Sequence, residues 1–240
     1  MVGLLPAHER VLVALRQSGL RSGDCLPSEP RLALQLGMSR QSVREALVAM
    51  QAIGVVEGRQ GARRRLVSFD PVLFGEHLAL SMEPNRENLL QTLQVRRVLE
   101  HSFLPVAAQG MSQQRMNELD ALADSMIRNA RLERPFLELD EQFHTMLFAG
   151  LRNKALEGFI GGFWSLFRQA PSSITRTTSL SQTAAIHKAI VNALINNDLQ
   201  LAVHRLDAHF YDVQSRIASR EMTNKPTTET ARGRAQAVGN

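Results

Sequence analysis

The chain has 240 residues, 44% of them hydrophobic but only 5% aromatic, and its single cysteine, Cys25, excludes an internal disulfide. Its net charge of +5 lies in the first quarter: residues 1–68 hold ten Arg and five acidic side chains (10 − 5 = +5), so residues 69–240 balance at 18 − 18 = 0. No stretch approaches the roughly 18 apolar residues that span a bilayer and no secretion signal is evident, so the composition points to a cytoplasmic, mostly α-helical protein whose basic front segment meets a polyanion.

In chain order, HERVLVALRQSG predicts an amphipathic helix with Val11, Leu12 and Leu15 on one stripe and a stop at Ser18-Gly19. A loop holding Gly23 and Pro27 follows. Ser28 is placed to cap a second short helix carrying Leu32, Ala33 and Leu36, with Pro30 tolerated in its first turn. Gly37 ends that helix, and Ser39 is the next N-cap. Val43, Ala46, Leu47 and Met50 then mark the inward face of a third helix reaching about Ile53. Residues 54–58 and 62–67 read as two short strands around Arg59-Gln60-Gly61. Three helices and a hairpin over residues 1–68 describe a winged helix-turn-helix.

Asp70-Pro71 signals a boundary, so residues 69–86 are expected to form a linker or hinge. Residues 87–221 predict helix after helix, with breaks at Gly110 to Ser112, Glu133 to Pro135, Gly150 to Asn153, Ala170 to Ser181 and Asn196 to Asp198. Residues 222–240 lack an apolar face and are expected to be a disordered tail.

The third helix opens on Ser39, Arg40, Gln41, Ser42 and Arg44 before turning apolar. That order suits a recognition helix, which enters the major groove by its N-terminus while its later turns pack inward. Arg40 and Arg44 lie one turn apart and offer forked guanidinium groups to guanine or phosphate; Ser39, Gln41 and Ser42 suit hydrogen bonds to either. Ser39 is equally able to act as a cap alone, and Arg44 to pair with a nearby acid. Arg59, Arg63, Arg64 and Arg65 bracket Gly61, where a wing tip approaches the sugar-phosphate backbone or the minor groove.

These residues carry a resemblance. LPSEPRLALQLGMSRQSVREALVAMQAIGVVEGRQGARRRLV is similar to the DNA-binding domain of GntR regulators, which runs LPSE, a leucine-rich helix, G-[VM]-S-R-x-x-V-R-E-A-L and a glycine-containing wing. The likeness covers about residues 8–67. It implies that Arg40 and Arg44, with Ser39, Gln41 and Ser42, fall on operator-reading positions, and that Gln60-Gly61 forms the wing tip. Many relatives have Arg-Glu after LPSE where this chain has Pro30-Arg31. Arg31 cannot complete a capping box with Ser28, and is expected to take over a phosphate contact.

In LELDEQFHTMLF, Asp140 and His144 share one helix face, four residues apart, and such a pair can bind a divalent ion or simply hydrogen-bond. His187 lies on a stripe with Ile190, Val191 and Leu194, and His209 on one with Leu206, Phe210 and Val213, whereas His204 is expected to face water. Three inward imidazoles and a carboxylate favour one shared site. The pattern D-x-x-F-H, H-x-x-I and a third His 22 residues later resembles the FCD effector domain of the FadR-like branch, and VRRVLEHSFLPVAA resembles its first helix. This implies an antiparallel all-α bundle around a cavity, with Asp140, His144, His187 and His209 as metal ligands. Zinc, nickel and manganese all suit that donor set.

If the metal is six-coordinate, two positions remain for water or a bidentate organic acid. Arg96 is placed either to neutralise that acid's carboxylate or to pair with Glu100 four residues on, and Arg97 is a weaker candidate. Phe163, Trp164 and Phe167 are expected to pack the bundle. The combined expectation is a homodimeric transcriptional repressor of a metabolic operon, binding a short near-palindromic duplex, with no membrane partner and no enzymatic role. The alternatives are a metal-dependent hydrolase-like enzyme with an attached DNA-binding domain, or a regulator whose metal is structural or is itself the signal.

Overall fold

Helical spacing of apolar residues sets the first core. Val11 and Leu15 on α1 (Ala7–Gln17), Leu32 and Ala33 on α2 (Glu29–Leu36), and Val43, Ala46, Leu47 and Met50 on α3 (Arg40–Ala52) are all buried in one cluster in the computed structural model. It describes residues 6–58, 63–175 and 179–219. Between α2 and α3 the chain turns on Gly37, whose φ of 58° is a left-handed conformation that a side chain would strain. Ser39 caps α3, its Oγ accepting from the Ser42 amide at 3.0 Å. Ser28 occupies the corresponding position before α2 but makes no side-chain cap bond, in keeping with the missing capping box.

Strands β1 (Val56–Glu57) and β2 (Arg65–Leu66) pair antiparallel, Val56 opposite Leu66 and Glu57 opposite Arg65. The loop before α2 lies along the other edge of β2: the Leu26 amide donates to Arg64 O and the Leu66 amide to Asp24 O, around a bridge from Cys25 to Arg65. Arg59, Gln60, Gly61 and Ala62 lie outside the described residues.

The stretch expected as a linker holds helix α4 (Pro71–Leu80). Asp70 caps it, Oδ1 accepting from the amides of Val72 and Leu73, and Pro71 supplies the pre-set first helical residue. The Asp-Pro pair that signals a boundary is thus also a helix start.

The chain divides into two compact units, residues 1–83 with 144–168, and residues 84–143 with 169–240. Within the first, α4 packs on α8 (Lys154–Gln169) backbone to backbone: a Cβ at Gly75 would lie 2.7 Å from Gly162 N and 2.8 Å from Gly158 O. Phe74 meets Phe159 edge-on beside that contact. Phe163, Trp164 and Phe167 of α8 are buried against one another.

The second unit is built on α5 (Arg86–Gln109), α6 (Gln113–Arg131), α10 (Leu180–Ile195) and α11 (Leu199–Ser219), with α10 packed on α6 and α11, and α11 on α5. Asn85, Ser112 and Ser179 cap the first three through their side chains. Leu89, Leu104, Leu119, Met126, Ile190 and Leu206 form its interior. Two polar clasps join the elements: Lys188 Nζ donates to Asp120 and Asp124, both at 2.7 Å, and Arg97 to both carboxylate oxygens of Asp207 at 2.7 and 3.2 Å. Helix α7 (Leu137–Phe148) continues into a single 3-10 turn. Among its described residues, the polar run expected as a break holds the short helix α9 (Ser172–Thr175) and the start of α10. No helix among the described residues is long and apolar enough to cross a membrane. The tail, 222–240, lies outside the described residues.

Candidate functional site

Asp140 and His144 stand one turn apart on α7, His187 on α10 and His209 on α11, and the structure brings the four together. One ligand atom from each lies within 4.8 Å of all the others, and the three imidazoles are fully or almost fully buried. Two donors about 2.1 Å from a common ion are about 3.0 Å apart at right angles and about 4.2 Å apart when opposed, so the group has the span of a metal shell. Among the described residues it is the one His, Cys, Asp or Glu cluster of this kind.

The polarity of His187 sharpens the point. Its Nδ1 lies 2.8 Å from the Thr183 carbonyl oxygen, which can only accept, so Nδ1 carries the proton and donates. In a neutral ring Nε2 is then a bare lone pair, yet it lies 3.0 Å from Asp140 Oδ1, another acceptor when ionised. Two acceptors face each other only with something positive between them, either a proton or a cation. A backbone carbonyl fixing one ring nitrogen while the other points at a donor set is the second-shell arrangement of metal-bound histidine. Phe143 and His209 stack edge-on against the His187 ring at 4.9 and 4.6 Å between centroids, holding its plane.

Arg96 is buried and donates from Nε to Glu100 Oε1 at 2.5 Å, with its guanidinium 5.3 Å from the Phe210 ring centroid. The helix-pair arrangement open to Arg96 in the sequence is therefore present. Arg97 faces Asp207 and the Tyr211 ring, 4.0 Å from its centroid, and serves as a tie between α5 and α11. His204 is exposed, as its position on α11 requires.

At the other end of the chain, Arg31, Ser39, Arg40, Gln41, Arg44 and Arg63 are exposed and Ser42 half-buried. Gln41 donates to Glu45 at 2.8 Å, and Ser39 shares a hydroxyl contact with Ser42 at 2.8 Å. The arginines around the hairpin are not all free to reach outward. Arg65 donates to Gly23 O at 3.0 Å, and Arg64 ends on Glu29 at 2.5 Å. Glu29 also accepts from Arg44 Nε at 3.1 Å. Gln60 and Gly61, expected at the wing tip, lie outside the described residues.

The model of the bacterial regulatory proteins of the gntR family matches residues 7–65, and that of the FCD domain residues 91–212. The chain belongs to the GntR family. This GntR regulator is 25% identical to the HTH-type transcriptional regulator YcbG of Bacillus subtilis, over 87% of each chain. To LutR of the same organism it is 27% identical, over 83% of this chain and 94% of the relative. An Escherichia coli protein provisionally named as an L-lactate dehydrogenase operon regulator is 24% identical, over 84% and 81%. The solved structure of a Streptococcus agalactiae GntR protein matches with a TM-score of 0.57 at 21% identity, covering 87% of this chain and 97% of that one.

The regulator thus combines a DNA-binding winged helix-turn-helix with an effector-binding FCD domain. Glu29 is the nearby acid with which Arg44 was open to pair, and the sequence reading did not single it out. Its partners lie 15 and 35 residues away, beyond any local spacing rule. The available signal was chemical: one acid at the start of α2 in a segment with twice as many arginines as acids.

Proposed function

We propose that this regulator is a cytoplasmic repressor of a metabolic operon, released from a short near-palindromic operator by a small carboxylate bound at a divalent metal in the helical domain. The observation that carries this reading is the convergence of Asp140, His144, His187 and His209, with the Nε2 lone pair of His187 turned on a carboxylate. Zinc, nickel or manganese would act there as a Lewis acid that holds an anionic ligand. A provisional L-lactate dehydrogenase assignment on one relative supports a small hydroxy acid, whose carboxylate and hydroxyl fill two adjacent positions of a six-coordinate ion. Arg96, beside the cluster's Phe210 flank, is the cation proposed to meet the acid's carboxylate, exchanging it for Glu100.

On the operator side, Arg40 and Arg44 are proposed to read bases or adjacent phosphates, with Ser39, Gln41 and Ser42 at the groove edge, Arg31 and Arg63 on phosphate, and Gln60-Gly61 at the wing tip. Two half-sites require a homodimer. The outward face of α5 supports pairing: Val95, Val98 and Val106 are exposed among Gln91, Gln94, Ser102 and Gln109, with Glu87 one turn before Gln91 at the start of the helix. Effector and operator then compete through a coupling of about 1–3 kcal/mol, or about 5–150-fold in affinity.

The test is to measure bound metal by elemental analysis and operator affinity by fluorescence anisotropy, with and without added lactate, for the native protein and His187→Ala. The native protein is expected to hold one ion per chain and to lose affinity on adding the acid; the variant should lose both the ion and the response. Undiminished metal in the variant would remove the site from this account.

A further inference from the structure

We propose that Glu29 is a positioning and specificity-determining residue for operator recognition, gripping Arg44 by its Nε so that the two terminal amino groups of that guanidinium are presented to the DNA. This role rests on the reading of Arg44 as an operator contact. Glu29 is the first residue of α2, and its two oxygens are divided between two other elements: Oε2 takes Arg44 Nε of the recognition helix at 3.1 Å, and Oε1 takes Arg64 Nη1, beside β2, at 2.5 Å. The Glu29 side chain is 21% exposed and that of Arg64 22%, but that of Arg44 is 62% exposed, so the clasp is anchored inside and its working end is outside.

An arginine has five N–H donors in a planar fork, and the Nε edge and the terminal edge are alternative ways to engage guanine O6 and N7. With Nε–H committed to Glu29, only the terminal edge is available, and the plane of the fork is set by a carboxylate that Arg64 itself holds in place. A long flexible side chain otherwise reaches phosphate and base alike. Tying it removes the alternatives before DNA arrives, which favours the one site whose bases match. The Glu29 carboxyl is held below its ordinary range, first by the hydrogen bond from Arg64, against the cost of burial, and then by Arg44, so it is ionised wherever the regulator works.

Plain electrostatics predicts a different outcome. A carboxylate beside the docking surface repels phosphate, so removing it should by charge alone tighten every DNA duplex equally. A positioning role instead predicts that specific and random-sequence binding move apart. The experiment uses the full-length protein, an operator selected by it from a random duplex library, and a random-sequence duplex of the same length, with affinities measured by anisotropy at fixed salt.

For Glu29→Gln the ratio of specific to random affinity is expected to fall about tenfold, within the range of one bidentate base contact, while random-sequence affinity holds or rises. Glu29→Asp keeps the charge but withdraws it by one methylene, and is expected to lower the ratio as well; it also serves if the glutamine variant fails to fold, which melting curves report. With Arg44→Ala in the background, neither change should lower the ratio further. If Glu29→Gln and Glu29→Asp leave the ratio unchanged while Arg44→Ala lowers it, the positioning role is overturned and the operator contact stands. If Arg44→Ala itself leaves the ratio intact, the reading of Arg44 fails and takes the role of Glu29 with it.

Discussion

Asp140→Asn should change sign with metal. With Nδ1 of His187 donating to Thr183 O at 2.8 Å, Nε2 and Asp140 Oδ1 confront each other as acceptors at 3.0 Å. In metal-free protein only a proton can separate them. An amide in place of the carboxylate can itself donate to Nε2, a neutral hydrogen bond of about 0.5–1.5 kcal/mol that needs no such proton. In metal-loaded protein the same change removes an anionic ligand. A metal at 100 times its Kd stabilises the fold by about 2.7 kcal/mol, and a 100-fold loss of affinity would leave only about 0.4 of that. At about 2–4 °C per kcal/mol for a chain of this size, the variant should melt about 5–9 °C below wild type with metal, and at or above wild type in chelator. The assay is a pair of thermal melts for each protein. An equal drop in both conditions would refute the argument, because it would mean that the carboxylate supports the fold without any ion.

The close approach of α4 and α8 makes a matched pair of substitutions informative. Gly75→Ala puts a Cβ 2.7 Å from the Gly162 backbone nitrogen and should destabilise by about 1–3 kcal/mol, whereas Gly161→Ala, with nothing within 4 Å of its Cβ, should be neutral or stabilise by up to about 1 kcal/mol. Urea denaturation compares them, and an equal effect of the two would dismiss the packing argument. For Lys188, burial opposes the charge, but Asp120 and Asp124 prevail and raise its pKa above the ordinary lysine value. A raised folded pKa means that this site's stabilisation is fully present below the unfolded value of about 10.4 and is lost as pH rises through the folded one. Denaturant midpoints of Lys188→Met should therefore fall less than those of wild type as pH rises above about 10.4.

What could be read from the sequence was what local periodicity and caps encode. The stripe from Val43 to Met50, the stop at Gly37, the cap at Ser39 and the break at Gly110 to Ser112 each depend on residues within one or two turns, and each stands in the structure where the spacing puts it. The four donors were legible for a related reason. An inward imidazole on an apolar stripe shows from its own helix, and helices that share one core must aim such side chains at a common interior. Helix α4 was missed because Asp-Pro is an ambiguous sign: it closes the preceding segment and caps a new helix with the same two residues. Contact between glycines was missed because a residue without a side chain leaves no periodic trace, so Gly75, Gly158 and Gly162 disclose their purpose only when two backbones meet. The hairpin arginines were legible as charge but not as direction. Arg64 and Arg65 count equally with Arg63 in any net total, yet Glu29 and Gly23 O engage their guanidinium groups, while Arg63 is exposed. Charge composition therefore locates a polyanion-binding segment, but the number of arginines that can reach phosphate is decided by acceptors placed far away in the chain. For the same reason the salt dependence of operator binding should reflect fewer ionic contacts than the ten arginines of residues 1–68 would suggest.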